Sequence, residues 1–260
     1  MEWTFEDAGL VEADVEVPSG SVEIRPAEDG RVVVVLEPAD PFDRVAGEIV
    51  EASEVSLSAG RLRVHVPSRR FRDAAVRCVV AVTAEPALSF RTASADLSCE
   101  VPIAALTGST ASGRVRVLEV EQDASLSTAS GDVTFGGVGG RLRFRGASSD
   151  LHIGILGGDG ELALASGDLR IEEAARSVTV QTASGDVSIA RVSDGRVSVS
   201  TASGDVVIGV AQGAGAFLDV SSVSGDMDCE LPFTDASAEE AAVRIVCRTV
   251  SGDVRVEAAS

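Results

Sequence analysis

Apolar and polar residues alternate along this chain in short bursts, and the bursts recur. With the serine of Thr182-Ala183-Ser184-Gly185-Asp186-Val187 as marker, equivalent serines stand at Ser94, Ser112, Ser130, Ser148, Ser166 and Ser184 with a spacing of 18, then at Ser203, Ser224 and Ser251 with spacings of 19, 21 and 27. The third and fifth residues after each marker are apolar: Leu97 and Cys99, Val115 and Val117, Val133 and Phe135, Leu151 and Ile153, Leu169 and Ile171, Val187 and Ile189, Val206 and Ile208, Met227 and Cys229, Val254 and Val256. A mostly polar residue separates each pair, Val207 excepted. Four residues before the marker come Phe90, Leu126, Phe144, Leu162, Val180, Val199, Val220 and Cys247, a row broken by Gly108. Six before it come Leu88, Leu106, Leu142, Val178, Val197, Leu218 and Ile245. A period of two marks a strand with one buried face, so each repeat predicts two short strands separated by bends.

A fixed period of this length predicts a solenoid, in which each repeat buries its apolar face only against its neighbours. Equivalent residues one coil apart then stack at about 4.8 Å, and the rows become apolar ladders. The expected fold is all-β: a right-handed parallel β-solenoid, β-helix-like, with 18-residue coils and irregular end coils. The corner between strands is turn chemistry. Gly113, Gly131, Gly167, Gly185, Gly204, Gly225 and Gly252 are placed to take a positive φ, and Asp132, Asp168, Asp186, Asp205, Asp226 and Asp253 to bond nearby backbone N–H groups. Ala95 and Ser149 stand in for the glycine in two copies. The alanine before the marker (Ala93, Ala111, Ala129, Ala147, Ala165, Ala183, Ala202) predicts a tight inner bend with room for a methyl only.

One continuous domain is expected, in three stretches: irregular N-terminal coils and cap over 1–86, regular repeats over 87–212, and enlarged coils with a cap over 213–260. In the first stretch a short helix is expected over 41–50, with Asp40 as N-cap, Pro41 at the first helical position, and Phe42, Val45, Ala46, Ile49 and Val50 on one face. Leu62, Val64 and Val66, then Val76, Cys78 and Val80, read as strands leading into the regular region. The final coil, Val243 to Glu257, restores the motif after a polar loop, Thr234 to Ala242. The helix and that loop are expected to cap the two ends, giving a constant particle mass and no filaments.

Composition narrows the function classes. The 260 residues carry a net charge of −19 with no lysine, which disfavours nucleic acid and anionic membranes as partners. No apolar run reaches the roughly 20 residues of a membrane-spanning helix. The start, Met1 to Leu10, carries Glu2, Glu6 and Asp7 and lacks the basic and apolar regions of an export signal, so a cytoplasmic protein is expected. Cys78, Cys99, Cys229 and Cys247 show no metal spacing; three of them fall in inward rows and read as buried thiols. His65 and His152 accompany no nucleophile motif, and without tyrosine, and with Trp3 near the terminus, there is no aromatic platform for a sugar, so catalysis is not expected.

Two features remain as candidate sites. The corner aspartates, with Asp96 and Asp150 and interrupted by Arg114, form a repeated row of acids; it reads as structural, and neither a metal nor a cofactor is expected. Arg61, Arg63, Arg69, Arg70 and Arg72, with Arg77, and separately Arg141, Arg143 and Arg145, stand out against the acidic background as solvated strand faces, or as a docking patch for an acidic protein or a second copy of this chain.

The run of Thr-Ala-Ser-Gly-Asp-Val corners, the irregular first third and the longer last coil together resemble the bacterial putative-adhesin family of β-strand-repeat proteins, the toastrack-type β-solenoids of unknown function. The resemblance covers nearly the whole chain and implies a solenoid of parallel strands with a non-enzymatic role. A scaffold or protein-interaction module is therefore expected, with a self-assembling, filament-forming or adhesin-like protein as the alternative and a carbohydrate-active β-helix enzyme behind both.

Overall fold

Alternation within the repeats folds into strands stacked in parallel, as the computed structural model shows over the residues it describes, 1–6, 9–68, 74–231 and 241–259. The chain divides into two units, Met1–Asp132 and Val133–Ser260, each built from two sheets.

The first unit contains β1 (Glu2–Glu6), β2 (Glu12–Glu16), β3 (Gly20–Pro26), β4 (Arg31–Pro38), α1 (Arg44–Glu51), β5 (Glu54–Ser58), β6 (Arg61–His65), β7 (Val76–Val82), β8 (Ala87–Arg91), β9 (Asp96–Ile103), β10 (Ala105–Thr110), β11 (Val115–Val120) and β12 (Ala124–Ser130). One sheet runs β1-β4-β7-β3-β9-β11 and the other β12-β10-β8-β2-β6-β5. Regular coils pair in register with residues 18 positions on, Leu97 with Val115 and Leu88 with Leu106. The order of the early coils departs from the sequence reading. Instead of leading into the regular region, β6 and β7 lie outside β2 and β3: Val15 pairs with Val64 on one side and Phe90 on the other, and Ile24 with Val80 and Cys99. All these strands carry the same alternation, so pattern alone does not rank them. The outer edge is antiparallel, with β4 against β7 and β1, and β5 against β6. Ala59 (φ 50°) and Gly60 (φ 74°) make the β5–β6 connection, two positive φ values in succession that match the twist of a tight hairpin.

The helix starts three residues later than expected. Asp43, not Asp40, is the N-cap, its carboxylate accepting the N–H groups of Val45 (2.9 Å) and Ala46 (3.2 Å). Asp40 accepts the Phe42 N–H at 2.9 Å in the preceding turn. That turn turns Phe42 outward, 91% exposed, and leaves Ala46, Ile49 and Val50 as the buried residues of the helix, which packs against β4.

The second unit contains β13 (Val133–Val138), β14 (Leu142–Ser148), β15 (Leu151–Leu156), β16 (Gly160–Ser166), β17 (Leu169–Ala174), β18 (Val178–Ser184), β19 (Val187–Val192), β20 (Gly195–Ser203), β21 (Val206–Val210), β22 (Ala216–Ser224), β23 (Met227–Cys229), β24 (Val243–Ser251) and β25 (Val254–Ala258). Its sheets run β13-β15-β17-β19-β21-β25-β23 and β14-β16-β18-β20-β24-β22. Leu151 pairs with Leu169 and Leu169 with Val187; Phe144 pairs with Leu162. Here too the chain order is broken. The last coil does not end the stack: β24 and β25 are inserted between β20–β21 and β22–β23, so Val254 pairs with both Val206 and Met227. The edge coil is therefore that of β22 and β23, and β24 and β25 are hydrogen-bonded on both sides.

The predicted inward rows are buried in both units except at the edge coil, where Leu218 and Val220 are half-buried and Met227 and Cys229 exposed, and most regular strands contribute a third inward position that the alternation alone does not reveal. After the corner these are Val120, Val138, Leu156, Ala174, Val192 and Val210, brought inward three residues beyond the fifth-position residue, or two at Val210, where an irregularity in the strand breaks strict alternation. Before the corner the third position, two residues ahead of the marker serine, holds Thr110, Thr128, Leu164, Thr182, Thr201 and Thr249, all buried. The alanine that follows is correspondingly outward and exposed in every copy, so no methyl-sized inner bend exists there. Gly108 breaks its row for a steric reason: a Cβ there would lie 2.1 Å from Cε1 of Phe90, whose ring fills the space. Phe144 does the same beside Gly146, 2.9 Å from where that residue's Cβ would be.

Candidate functional site

The repeated polar residues lie at the corner of each coil, and most of them are engaged with backbone; the hydroxyls of Thr92 and Ser222, at the threonine position of two copies, are buried without a hydrogen-bond partner. Inside the corner, Thr128, Thr182, Thr201 and Thr249 donate their hydroxyls to the carbonyl of the marker serine two residues on, at 2.8, 3.2, 3.0 and 3.2 Å. At Ser203 and Ser251 the threonine hydroxyl is a second donor to a carbonyl that also accepts a backbone N–H from the adjoining coil, that of Gly185 at 3.2 Å and of Gly204 at 3.1 Å. Thr110 instead accepts the Gly113 N–H at 3.0 Å. The buried threonines are a row that strand alternation missed, although the Thr-Ala-Ser run displayed it.

Outside the corner the aspartates act between coils. Asp150 Oδ1 accepts the Asp168 N–H, Asp168 that of Asp186, and Asp186 that of Asp205, each at 2.9 Å. The ladder continues through Asp205 to Asp253 and from Asp253 to Asp226, following the spatial order of the coils. In the first unit Asp96 accepts the Arg114 N–H at 2.8 Å, and the Arg114 side chain reaches within 4.0 Å of Asp132. The carboxylates thus cross-link coils instead of closing turns within one coil.

The glycine between serine and aspartate has two uses. Gly131, Gly167, Gly185, Gly204, Gly225 and Gly252 have φ between 108° and 146°, in the region closed to most side chains. Gly113 does not adopt a positive φ; it is held to glycine by proximity, because a Cβ would lie 1.9 Å from the Ala95 carbonyl oxygen. Where a serine replaces the glycine, Ser149 is buried and its hydroxyl lacks a hydrogen-bond partner.

The basic cluster is met by acids from elsewhere in the chain. Because β2 pairs with β6, Glu12, Asp14 and Glu16 sit in register with Arg61, Arg63 and His65; Arg61 contacts Glu12 at 2.7 Å and His65 contacts Glu16 at 3.0 Å. Arg77 lies between Glu37 (3.3 Å) and Glu23 (3.7 Å), and Arg143 contacts Glu161 at 3.1 Å. Arg69, Arg70 and Arg72 lie outside the described residues, as does most of the loop from Thr234.

Among the described residues no group of three histidine, cysteine or acidic side chains comes together as a metal site. His152 lies 4.0 Å from Glu172, which Arg170 holds below the usual carboxylate range through a 2.7 Å hydrogen bond. The Glu85 carboxylate beside Glu121 holds that residue's carboxyl above it. All four thiols are free. Burial pushes Cys78 and Cys247 up to about 12 and Cys99 to about 11, so none of these three supplies a thiolate near neutral pH. Cys229, expected inside, is exposed because β23 belongs to the edge coil. There Leu218, Val220, Met227, Asp228, Cys229, Val254 and Val256 line an open cleft of about 240 Å³, apolar but for Asp228.

A family model described as Toastrack DUF4097 matches residues 12–260. No curated protein matches the chain. A solved structure from Parabacteroides distasonis, described as a putative adhesin, is similar over 98% of this chain and 96% of its own, with 13% identity and a TM-score of 0.51. Another from Bacteroides fragilis, with the same description, has 11% identity and a TM-score of 0.40, and a Parabacteroides distasonis structure described as a putative lipid binding protein has 11% identity and a TM-score of 0.36; each covers 98% of this chain and 96% of the other. At these identities the likeness is one of fold alone, carried by the first of the three.

Proposed function

We propose, from the premise that the chain belongs to the Toastrack DUF4097 family, a non-catalytic β-solenoid scaffold whose outward strand faces recognise another protein. The observation that supports this reading is the state of the repeated polar residues. In regular coils threonine, glycine and aspartate of the corner, Thr182, Gly185 and Asp186 among them, are engaged in joining backbone to backbone, and among the described residues no three histidine, cysteine or acidic side chains come together as a metal site. What the strands offer instead is regular outward rows of small and polar side chains on a rigid frame, a surface suited to recognition by shape and charge. The net charge of −19 favours a partner with a basic face.

Affinity purification of the full chain from its native host, with mass spectrometry of what is retained at low and high salt, tests the proposal. A protein retained at low salt and released as salt rises is the expected result. Recovery of nothing above a control, together with turnover of any member of a polysaccharide panel by the pure protein, would replace the scaffold with the enzyme.

A further inference from the structure

An edge of the first unit and an edge of the second are finished differently. At the edge of the first unit, β1 carries Glu2 and Glu6, β5 carries Glu54, both strands run antiparallel to their neighbours, and α1 packs beside them on β4. Charges and reversed strands are the usual means of blunting an edge. At the edge of the second unit, β22 is nine residues long, has no proline and one charged side chain, Asp219, and among the described residues is paired on one side only; β23 of the same coil carries one acid, Asp228, on its exposed side. Its inward residues Leu218 and Val220 are half-buried, Met227 on β23 is 58% exposed, and outward Val223 is 82% exposed. This coil presents to solvent the surface that each interior coil of the unit buries against the next.

We infer that the β22–β23 edge docks the same edge of a second copy of this chain, β22 pairing antiparallel with β22 about a two-fold axis through Val220. The residue order of the strand is complementary to itself in that register. Val220 is its midpoint, so all of Ala216–Ser224 overlaps. Asp219 then faces Ser221 of the second copy, and no carboxylate on this strand opposes another. Phe217, whose ring already stacks under Arg244 at 5.4 Å, faces the exposed Val223, an aromatic against a β-branched side chain, twice by symmetry. Leu218 faces Ser222. The inner rows of the two copies become continuous, which closes the apolar cleft. Because the blunted, glutamate-bearing edge offers no matching surface, the assembly stops at two.

Light scattering and sedimentation of the full chain over a range of concentrations test this. The expected mass is twice the chain's 26.6 kDa. Ser221→Asp sets an acid against Asp219 at two symmetric places on an exposed position, and should weaken association about tenfold at low salt, less as salt is added, with a melting temperature unchanged at concentrations where both proteins are single chains. Ser221→Arg should tighten it. Alkylation of Cys229 should slow as the parent is concentrated. A parent that stays at single-chain mass, a dimer indifferent to both Ser221 variants, or particles that keep growing with concentration would each overturn the proposal.

Discussion

The Asp186 carboxylate accepts the backbone N–H of Asp205 at 2.9 Å, so the side chain of one corner holds the main chain of the next. Asp186 is itself held in the same way by Asp168. A row of acids at strand spacing repels by about 0.9 kcal/mol per neighbouring pair in water, and each hydrogen bond returns about 0.5–1.5 kcal/mol, so the ladder holds despite its charge.

Asp186→Asn keeps the oxygen and removes the charge. Thermal melts at low salt should show stability level or raised by up to about 1 kcal/mol, the difference shrinking as salt is added. Asp186→Ala should instead lose about 1 kcal/mol, since the Asp205 N–H loses its acceptor. Calcium should act no differently from sodium chloride of matched ionic strength. A calcium-specific gain in the parent that disappears in Asp186→Asn would make the row a cation site.

Phe144 is 1% exposed, stacked on Leu162 and filling the space beside Gly146. Phe144→Asp should unfold the second unit at room temperature, through the lost burial and the buried charge together. Thr134→Asp, on the outward side of β13, should change stability by no more than about 0.5 kcal/mol. Circular dichroism during chemical denaturation distinguishes the two, and equal midpoints would undo the assignment of rows.

Thr201 and Gly185 test the two halves of the corner. Thr201→Val keeps the shape of a buried side chain but leaves the Ser203 carbonyl with the Gly185 N–H (3.2 Å) alone, at a cost of about 0.5–1.5 kcal/mol. Gly185→Ala would bring a Cβ within 2.1 Å of the Gly167 carbonyl oxygen at φ 124°, and should cost more than the roughly 1 kcal/mol typical of glycine replacement. Gly215→Ala is the control, since nothing lies within 4 Å of its Cβ position and its φ is not positive. Denaturant midpoints should fall in the order Gly215→Ala, Thr201→Val, Gly185→Ala; any other order would remove the crowding argument.

The buried thiols predict a loss of stability in alkali. Their folded pKa values, about 11 to 12, lie above the 9.0 of an unperturbed thiol, so their contribution is complete below pH 9.0 and is lost as pH rises towards 11 to 12. Once the unfolded thiols have ionised, each lowers the unfolding free energy by about 1.4 kcal/mol per pH unit. With no tyrosine and no lysine to titrate in the same window, the slope is unusually easy to assign. Cys247→Val should reduce it by one thiol's share, and an unchanged slope would mean that Cys247 is not buried.

Alternation with a period of two, repeated at near-constant spacing, was enough to place Leu151, Ile153, Leu169 and Ile171 inside, because a strand with one apolar face has one way to hide it. The Ser-Gly-Asp corner was legible as well, since few residues tolerate its backbone. The order of the coils was not. β3 and β7, or β23 and β25, carry interchangeable patterns, and only the pairing of distant segments chose which lies inside, turning Cys229 out to the edge and setting Glu12 against Arg61. The third inward row escaped for a related reason: burial of Thr182 and exposure of Ala183 depend on the strand running on to the marker serine, and the backbone partners that reward this lie across the turn and on the adjoining coil. Sequence by itself determined which face of each strand is apolar, a local consequence of the pleat. Tertiary structure decided which coil meets which, because that choice is made by long-range hydrogen bonding between surfaces that look alike in one dimension.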